Sequence, residues 1–311
     1  MFLIVSIAKI LPVISRGAGV CLLSAAAFGA MGIFGKLAFA DGVTAGTLLA
    51  ARFAIAAVAL WCLMVMKGSL SQMRALTPRD LAIALGLGAC GYALQAGCYF
   101  VALEHIDASL LSLILYTFPA IVTVAAVALG RERLDHRRVL ALGLVSTGLA
   151  LILGTVGASN VNGVGVALGL GAAFTYSTYI LTSDGVASRV PALTLATLVC
   201  TGAAASLTIG SALAGQLHPG EVTIAGWGWL ACIAVISTVG AITLFFAGLS
   251  RVGPTSASIL STFEPVVTVV LAAVVLAEQL TPVQGAGGAL VIAAVLVLRV
   301  VPRQRLAYES A

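Results

Sequence analysis

The chain has 311 residues, 61% of them hydrophobic and only 9% charged, with a net charge of +5. A soluble domain carries about 25% charged residues, so this balance excludes an ordinary globular protein and points to one immersed in lipid. The basic residues lie in short loops, so the positive charge reads as membrane topology and not as a nucleic-acid-binding surface.

Residues 1–16 are apolar but short, with Lys9 near the middle. They lack a charged start and a convincing cleavage site, so they read as a lead-in and not a signal peptide. Ten apolar runs follow: Gly17 to Phe39, Ala45 to Met66, Leu81 to Leu103, Ala108 to Leu129 and Val139 to Gly157, then Gly163 to Thr182, Ala192 to Gly215, Gly226 to Ser250, Pro254 to Ala277 and Val283 to Val301. Each is long enough for a membrane span, which takes about 20 apolar residues. Residues 302–311 form a polar tail. The connections leave no room for a separate soluble domain.

Loop charges orient these runs. Of the 16 lysines and arginines, all but Lys36 and Arg52 fall in segments that share one side if the spans alternate. By the positive-inside rule that side is the cytoplasm, and both termini lie there. An error of one span would scatter these charges to both faces. The membrane is read as the cell (inner) membrane.

The chain also repeats itself. At an offset of 146 residues, Gly19, Leu22 and Phe28 fall on Gly165, Leu168 and Phe174. The same offset puts Ser112, Pro119, Glu132 and Leu134 on Ser258, Pro265, Glu278 and Leu280. Each half holds five spans, an odd number, so the halves enter the membrane from opposite sides. The expected fold is an all-α integral membrane protein of ten transmembrane helices, arranged as two inverted five-helix repeats over residues 17–157 and 163–301. Inverted repeats recur in secondary transporters, where they support alternating access.

Two stretches carry a resemblance. They are Tyr116-Thr117-Phe118-Pro119 followed by Gly130-Arg131-Glu132-Arg133-Leu134, and Glu264-Pro265 followed by Ala277-Glu278-Gln279-Leu280. With the Phe28 region and Arg52-Phe53, the chain resembles the paired EamA domains of the drug/metabolite transporter superfamily. The resemblance implies a ten-helix carrier with a cavity between the halves, moving small metabolites and often exporting amino acids. It leaves open drugs, nucleotide sugars and phosphorylated metabolites as cargo.

The chemistry concentrates on few residues. Glu264 lies about ten residues into its apolar run, so roughly 15 Å from the surface and near the midplane. An ionisable group there is costly and marks a candidate site. It can bind a proton or a substrate amine, or it can be a structural acid. Its repeat partner is Phe118, so the acid breaks the symmetry. Pro265 follows it and frees the carbonyl of Ser261; Pro119 is its equivalent, and both are hinge candidates. Arg52 lies within the second span and Lys36 near the outer end of the first. Arg52 can face Glu264 or grip a substrate carboxylate, and either cation can instead be structural or snorkel.

Tyr92, Gln95, Tyr99, Tyr116, Tyr176 and Tyr179 bring polar groups into spans, where each hydroxyl needs a partner. They suit a cavity lining or ordinary interhelix hydrogen bonds. Glu132 and Glu278 sit at span ends and read as anchors. The cysteines are scattered and the histidines fall in loops, so no metal cluster, cofactor motif or catalytic group is expected. The small-molecule cargo, the lipid bilayer and protons are the expected partners. The leading expectation is a secondary exporter of amino acids. A membrane-embedded enzyme is the remote alternative.

Overall fold

The computed structural model describes residues 16–103, 105, 114–130, 135–153, 162–275 and 282–298. Outside the described residues lie most of the lead-in, the tail, and Glu132 and Glu278. The side chain of Lys36 also lies outside them.

Among the described residues the fold is all helix. The first half comprises α1 (Arg16–Ala40), α2 (Ala45–Met66), the short α3 (Leu70–Arg74), α4 (Pro78–Gly86), α5 (Ala93–Leu103), α6 (Phe118–Ala128) and α7 (His136–Leu153). The second half comprises α8 (Gly163–Ala187), α9 (Ala192–Leu213), α10 (Ile224–Ala234), α11 (Ala241–Val252), α12 (Pro254–Ser261), α13 (Phe263–Val275) and α14 (Pro282–Leu298). His136, expected in a loop, opens α7.

Local chemistry sets many boundaries. Thr44, Thr77, Asn162 and Thr223 are N-caps whose side-chain oxygens accept from the backbone of the first turn. Thr77 and Thr223 are 146 residues apart, so equivalent helices α4 and α10 start with the same cap.

Among the described residues, six helical stretches are long and apolar enough to cross a membrane, and Phe118–Ala128 and Gly285–Ala294 are shorter apolar helices. Leu23, Val58, Met66, Leu213 and Ile224 project outward with exposures of 61%, 64%, 81%, 85% and 94%. In water these would be a liability; against lipid chains they are the expected surface.

Four runs expected as single helices are interrupted. A π-helical turn, Leu87–Tyr92, joins α4 to α5, and another, Val235–Gly240, joins α10 to α11. The run from Pro254 breaks at Thr262, between α12 and α13. Pro265 therefore stands in the first turn of a new helix, where a proline costs no hydrogen bond. Pro119 stands likewise at the start of α6. The expectation of a proline removing a rung from a continuous helix is corrected on both counts: the chain restarts just before each proline.

Packing follows the 146-residue register. Helix α1 lies against α11 and α13, and its equivalent α8 lies against α5 and α6. Helices α2 and α9 pair with each other, as do α7 and α14. Each contact thus recurs when the halves are exchanged. Lipid supplies no hydrophobic drive between apolar helices, so close packing of small residues must hold them. At the crossing of the first π turn with α9, a Cβ on Gly88 would stand 2.0 Å from the Val199 carbonyl, and one on Gly202 would stand 2.3 Å from the Leu85 carbonyl. Only glycine lets these backbones touch. The repeat-equivalent positions, Ala56 and Ala234, are fully buried.

Candidate functional site

The close crossing of α9 with the first π turn fixes Tyr92, and the packing of α1 on α13 fixes Glu264. Between them lies a cavity of about 410 Å³. Its wall combines α1 (Phe28, Met31, Gly32, Gly35, Phe39), α2 (Leu48, Leu49, Arg52), the first π turn and α5 (Tyr92, Gln95, Ala96, Tyr99), Leu115 and Tyr116, Phe118 of α6, Tyr176 of α8, Ile233 of α10, and Glu264, Pro265 and Thr268 of α13. Most of this lining is apolar or aromatic. The formal charges among the described lining residues are Arg52 and Glu264.

Glu264 stands in the first turn of α13, where the helix dipole favours an anion. The Tyr116 hydroxyl lies near its carboxylate and interacts with it. Its backbone is held from α1. A Cβ on Gly29 would meet the Glu264 carbonyl at 2.8 Å, and the Thr268 hydroxyl lies 2.9 Å from the Gly29 carbonyl and 3.1 Å from that of Glu264. The acid is therefore set by contact between the two halves.

Arg52 is 4% exposed and well partnered. Its Nε donates to the Thr238 hydroxyl at 2.8 Å and its Nη2 to the Tyr92 hydroxyl at 3.4 Å. The Phe53 ring lies 4.7 Å from the guanidinium carbon. Among the described residues no ion pair joins Arg52 to Glu264; the two charges share the cavity and act on one another through it. A chain of aromatic rings bridges the poles. Tyr92 meets Tyr179 at 5.7 Å, Tyr179 meets Tyr176 at 6.2 Å, Tyr176 meets Phe118 at 4.8 Å, and Phe118 meets Tyr116 at 6.0 Å. The result is a positively charged side and a negatively charged side of one cavity, with aromatic rings between them.

Of the residues singled out from the sequence, the cavity gathers Glu264, Arg52, Tyr92, Gln95, Tyr99, Tyr116, Tyr176 and Pro265. Tyr179 is not on the wall. It is 4% exposed and packs behind Tyr176 and Tyr92, because its position on α8 faces the neighbouring helices. Ser261 is not on the wall either; its hydroxyl turns back to the Ala257 carbonyl at 2.9 Å. Pro119 is buried beside Phe118 and does not line this cavity. The backbone of Lys36 lies in α1.

Sequence reading missed Thr238 and Thr268. Thr238 was within reach, since the repeat register places it on Tyr92. The apolar wall residues Met31, Phe39, Leu48, Leu49 and Ile233 carry no such signal, because nothing in their type separates lining from lipid-facing positions.

The two-copy layout is matched by comparison with known proteins. A family model described as the EamA-like transporter family matches residues 15–154 and again residues 163–300. The chain belongs to the EamA-like transporter family. This EamA-like transporter is 27% identical over 217 residues to the uncharacterized transporter YcbK of Bacillus subtilis (strain 168), covering 67% of this chain and 70% of the relative. A solved crystal structure at 18% identity superposes on it with a TM-score of 0.78, covering 91% of this chain and 96% of that one, which establishes the shared fold. The EamA-like chain is a multi-pass membrane protein in a lipid environment, and its cargo is a small molecule.

Proposed function

We propose that the protein is a secondary carrier that exports amino acids or closely similar small metabolites across the cell (inner) membrane, working by alternating access. Its ten spans form two inverted five-helix repeats, residues 17–157 and 163–301, with both termini cytoplasmic. The observation that carries this reading is the pairing of opposite charges, Arg52 and Glu264, in one largely apolar cavity. A zwitterion presents a carboxylate and an ammonium and matches both poles. A phosphorylated cargo calls for several cations, and Arg52 is the cation on the described wall.

The state of the two sides supports alternation. In the orientation set by loop charges, the cavity runs along the outer parts of α1 and α2 to the rim residue Phe39, which is 47% exposed. Most repeat-equivalents of its wall lie toward the cytoplasm and are buried, while Phe174 and Thr178, the equivalents of Phe28 and Gly32, are exposed. Leu181, Thr194, Leu198, Phe245, Ser261 and Thr262 stand for Gly35, Leu48, Arg52, Tyr99, Leu115 and Tyr116, and none of the six exceeds 8% exposure. The same face is tied by Arg189 to Asp80 at 2.8 Å and by Thr194 to Gln72 at 3.1 Å. One half-path is open while its twin is closed. Glu264 is the group proposed to take and release the exchanged proton.

The aromatic wall also suits a lipophilic cation, a drug-type cargo, which would use Glu264 and leave Arg52 structural. Proteoliposome exchange separates these readings and tests the carrier itself. Uptake of labelled amino acid is expected to saturate and to be stimulated by unlabelled amino acid on the far side. Flux that rises linearly, without trans-stimulation, sinks the carrier reading. In a cysteine-free background, Leu181→Cys is expected to resist a cytoplasmic thiol reagent at rest and to react during turnover. Equal reactivity in both conditions counts against alternation.

A further inference from the structure

Thr238 and Tyr92 occupy equivalent positions of the two repeats, each within a π-helical turn. Both bind one guanidinium, that of Arg52, whose own repeat-equivalent is Leu198. The holders are a pair while the charge they hold is single. Thr238 donates its hydroxyl proton to the Ile233 carbonyl at 3.0 Å, a five-residue reach characteristic of a π turn. With that proton committed, its oxygen is left as an acceptor, and it takes the Arg52 Nε–H at 2.8 Å.

This fixes which edge of Arg52 is spent. Nε and Nη2 face Thr238 and Tyr92, so the side edge of the guanidinium is used by protein. The end edge, Nη1 with the second Nη2 proton, has no acceptor among the described residues. Phe53 covers one face of the group. A buried guanidinium with an unspent two-pronged edge on a cavity wall matches the two oxygens of a carboxylate.

Building on the carrier reading above, we propose that Thr238 is a positioning residue for a carboxylate subsite. It holds Arg52 so that the end edge receives the carboxylate of a dipolar substrate whose ammonium lies at Glu264. The ligand class is therefore an α-amino acid or another molecule with both charges, and Thr238 sets the preference for the acid over the corresponding amine.

The test uses the full-length purified carrier. Ligand-induced thermal shift is measured with the standard L-amino acids and their decarboxylated amines, and exchange kinetics with the best binder. Wild type is expected to favour the amino acid over its amine. Thr238→Val is expected to raise KM for the amino acid about tenfold, the loss of one hydrogen bond to a charged group, with kcat little changed and affinity for the amine unaltered. Thr238→Ser is expected to restore the wild-type KM. The proposal is overturned if wild type binds no amino acid, if valine weakens acid and amine alike, or if serine fails to rescue. Binding of amino acid without trans-stimulated exchange overturns the carrier reading instead, and the thermal-shift series still decides the subsite.

Discussion

Replacing Glu264 with glutamine is expected to lower kcat/KM for exchange of an ammonium-bearing substrate by about 10- to 100-fold. The change keeps shape and removes charge. What is lost is a charge-assisted contact, worth roughly 1.5–3 kcal/mol. Two features make the position demanding. The carboxylate has the Tyr116 hydroxyl as a neighbour, and its backbone is pinned by Thr268 against Gly29 of the opposite half. A substrate ammonium thus meets an anion that is already oriented and has little to reorganise. If Glu264 also exchanges a proton, the glutamine variant carries out substrate–substrate exchange without responding to an imposed pH gradient. Unchanged transport together with an unchanged response to the gradient removes Glu264 from both roles. A thermal melt of the variant close to that of wild type assigns the loss to the site and not to folding.

The second large effect is structural. Gly88→Ala is expected to destabilise the protein by about 3 kcal/mol, at the upper end of overpacking costs. A new Cβ would stand 2.0 Å from the Val199 carbonyl and 2.8 Å from the Ala203 nitrogen, both backbone atoms that cannot rotate away. The first π turn and α9 would have to separate by more than about 1 Å to restore ordinary contact. The turn carries Tyr92, so Arg52 loses a holder as the crossing opens. Gly86→Ala on the same path meets nothing within 4 Å and serves as the control. It is expected to be neutral or slightly stabilising, since alanine is the better helix former. Melting in detergent, followed for both variants, checks the contrast. Equal effects at the two positions would show that the close crossing does not hold the halves together.

Both predictions depend on a register that can be read directly from the chain. Pro119 and Pro265, and Gly19 and Gly165, align at one offset, and the helices obey it: α1 and α8, α2 and α9, α4 and α10, and α7 and α14 start within one residue of equivalence. Such periodicity survives in sequence because each half must bury the same kinds of faces. Glu264 was visible for a different reason. A carboxylate inside a long apolar run is rare and expensive, so it stands out without any knowledge of its neighbours. Arg52 was visible in the same way.

The partners of these charges were not visible. Composition does not say that Thr238 reaches Arg52 across 186 positions of chain, nor that Tyr116 reaches Glu264. Tyr179 and Tyr176 looked alike on one helix, yet one lines the cavity and the other packs behind it. The π turns were also hidden, because a one-residue change in helix winding leaves the apolar run unbroken. The break at Thr262 reassigned Pro265 from a kink to a helix start.

By itself, then, the sequence determined that the chain is a repeated helical membrane protein of the EamA type and that Glu264 and Arg52 are its costly charges. Those are properties of single residues and of their spacing, and the bilayer penalises them the same way in any fold. Only the tertiary structure decided that the two charges share one cavity without touching, that Thr238 and Tyr92 hold one edge of Arg52, and that glycine backbones bring the halves into contact. Those are distances between segments far apart in the chain. They are set by how helices cross, and in lipid that is governed by small-residue packing that the sequence does not order into pairs.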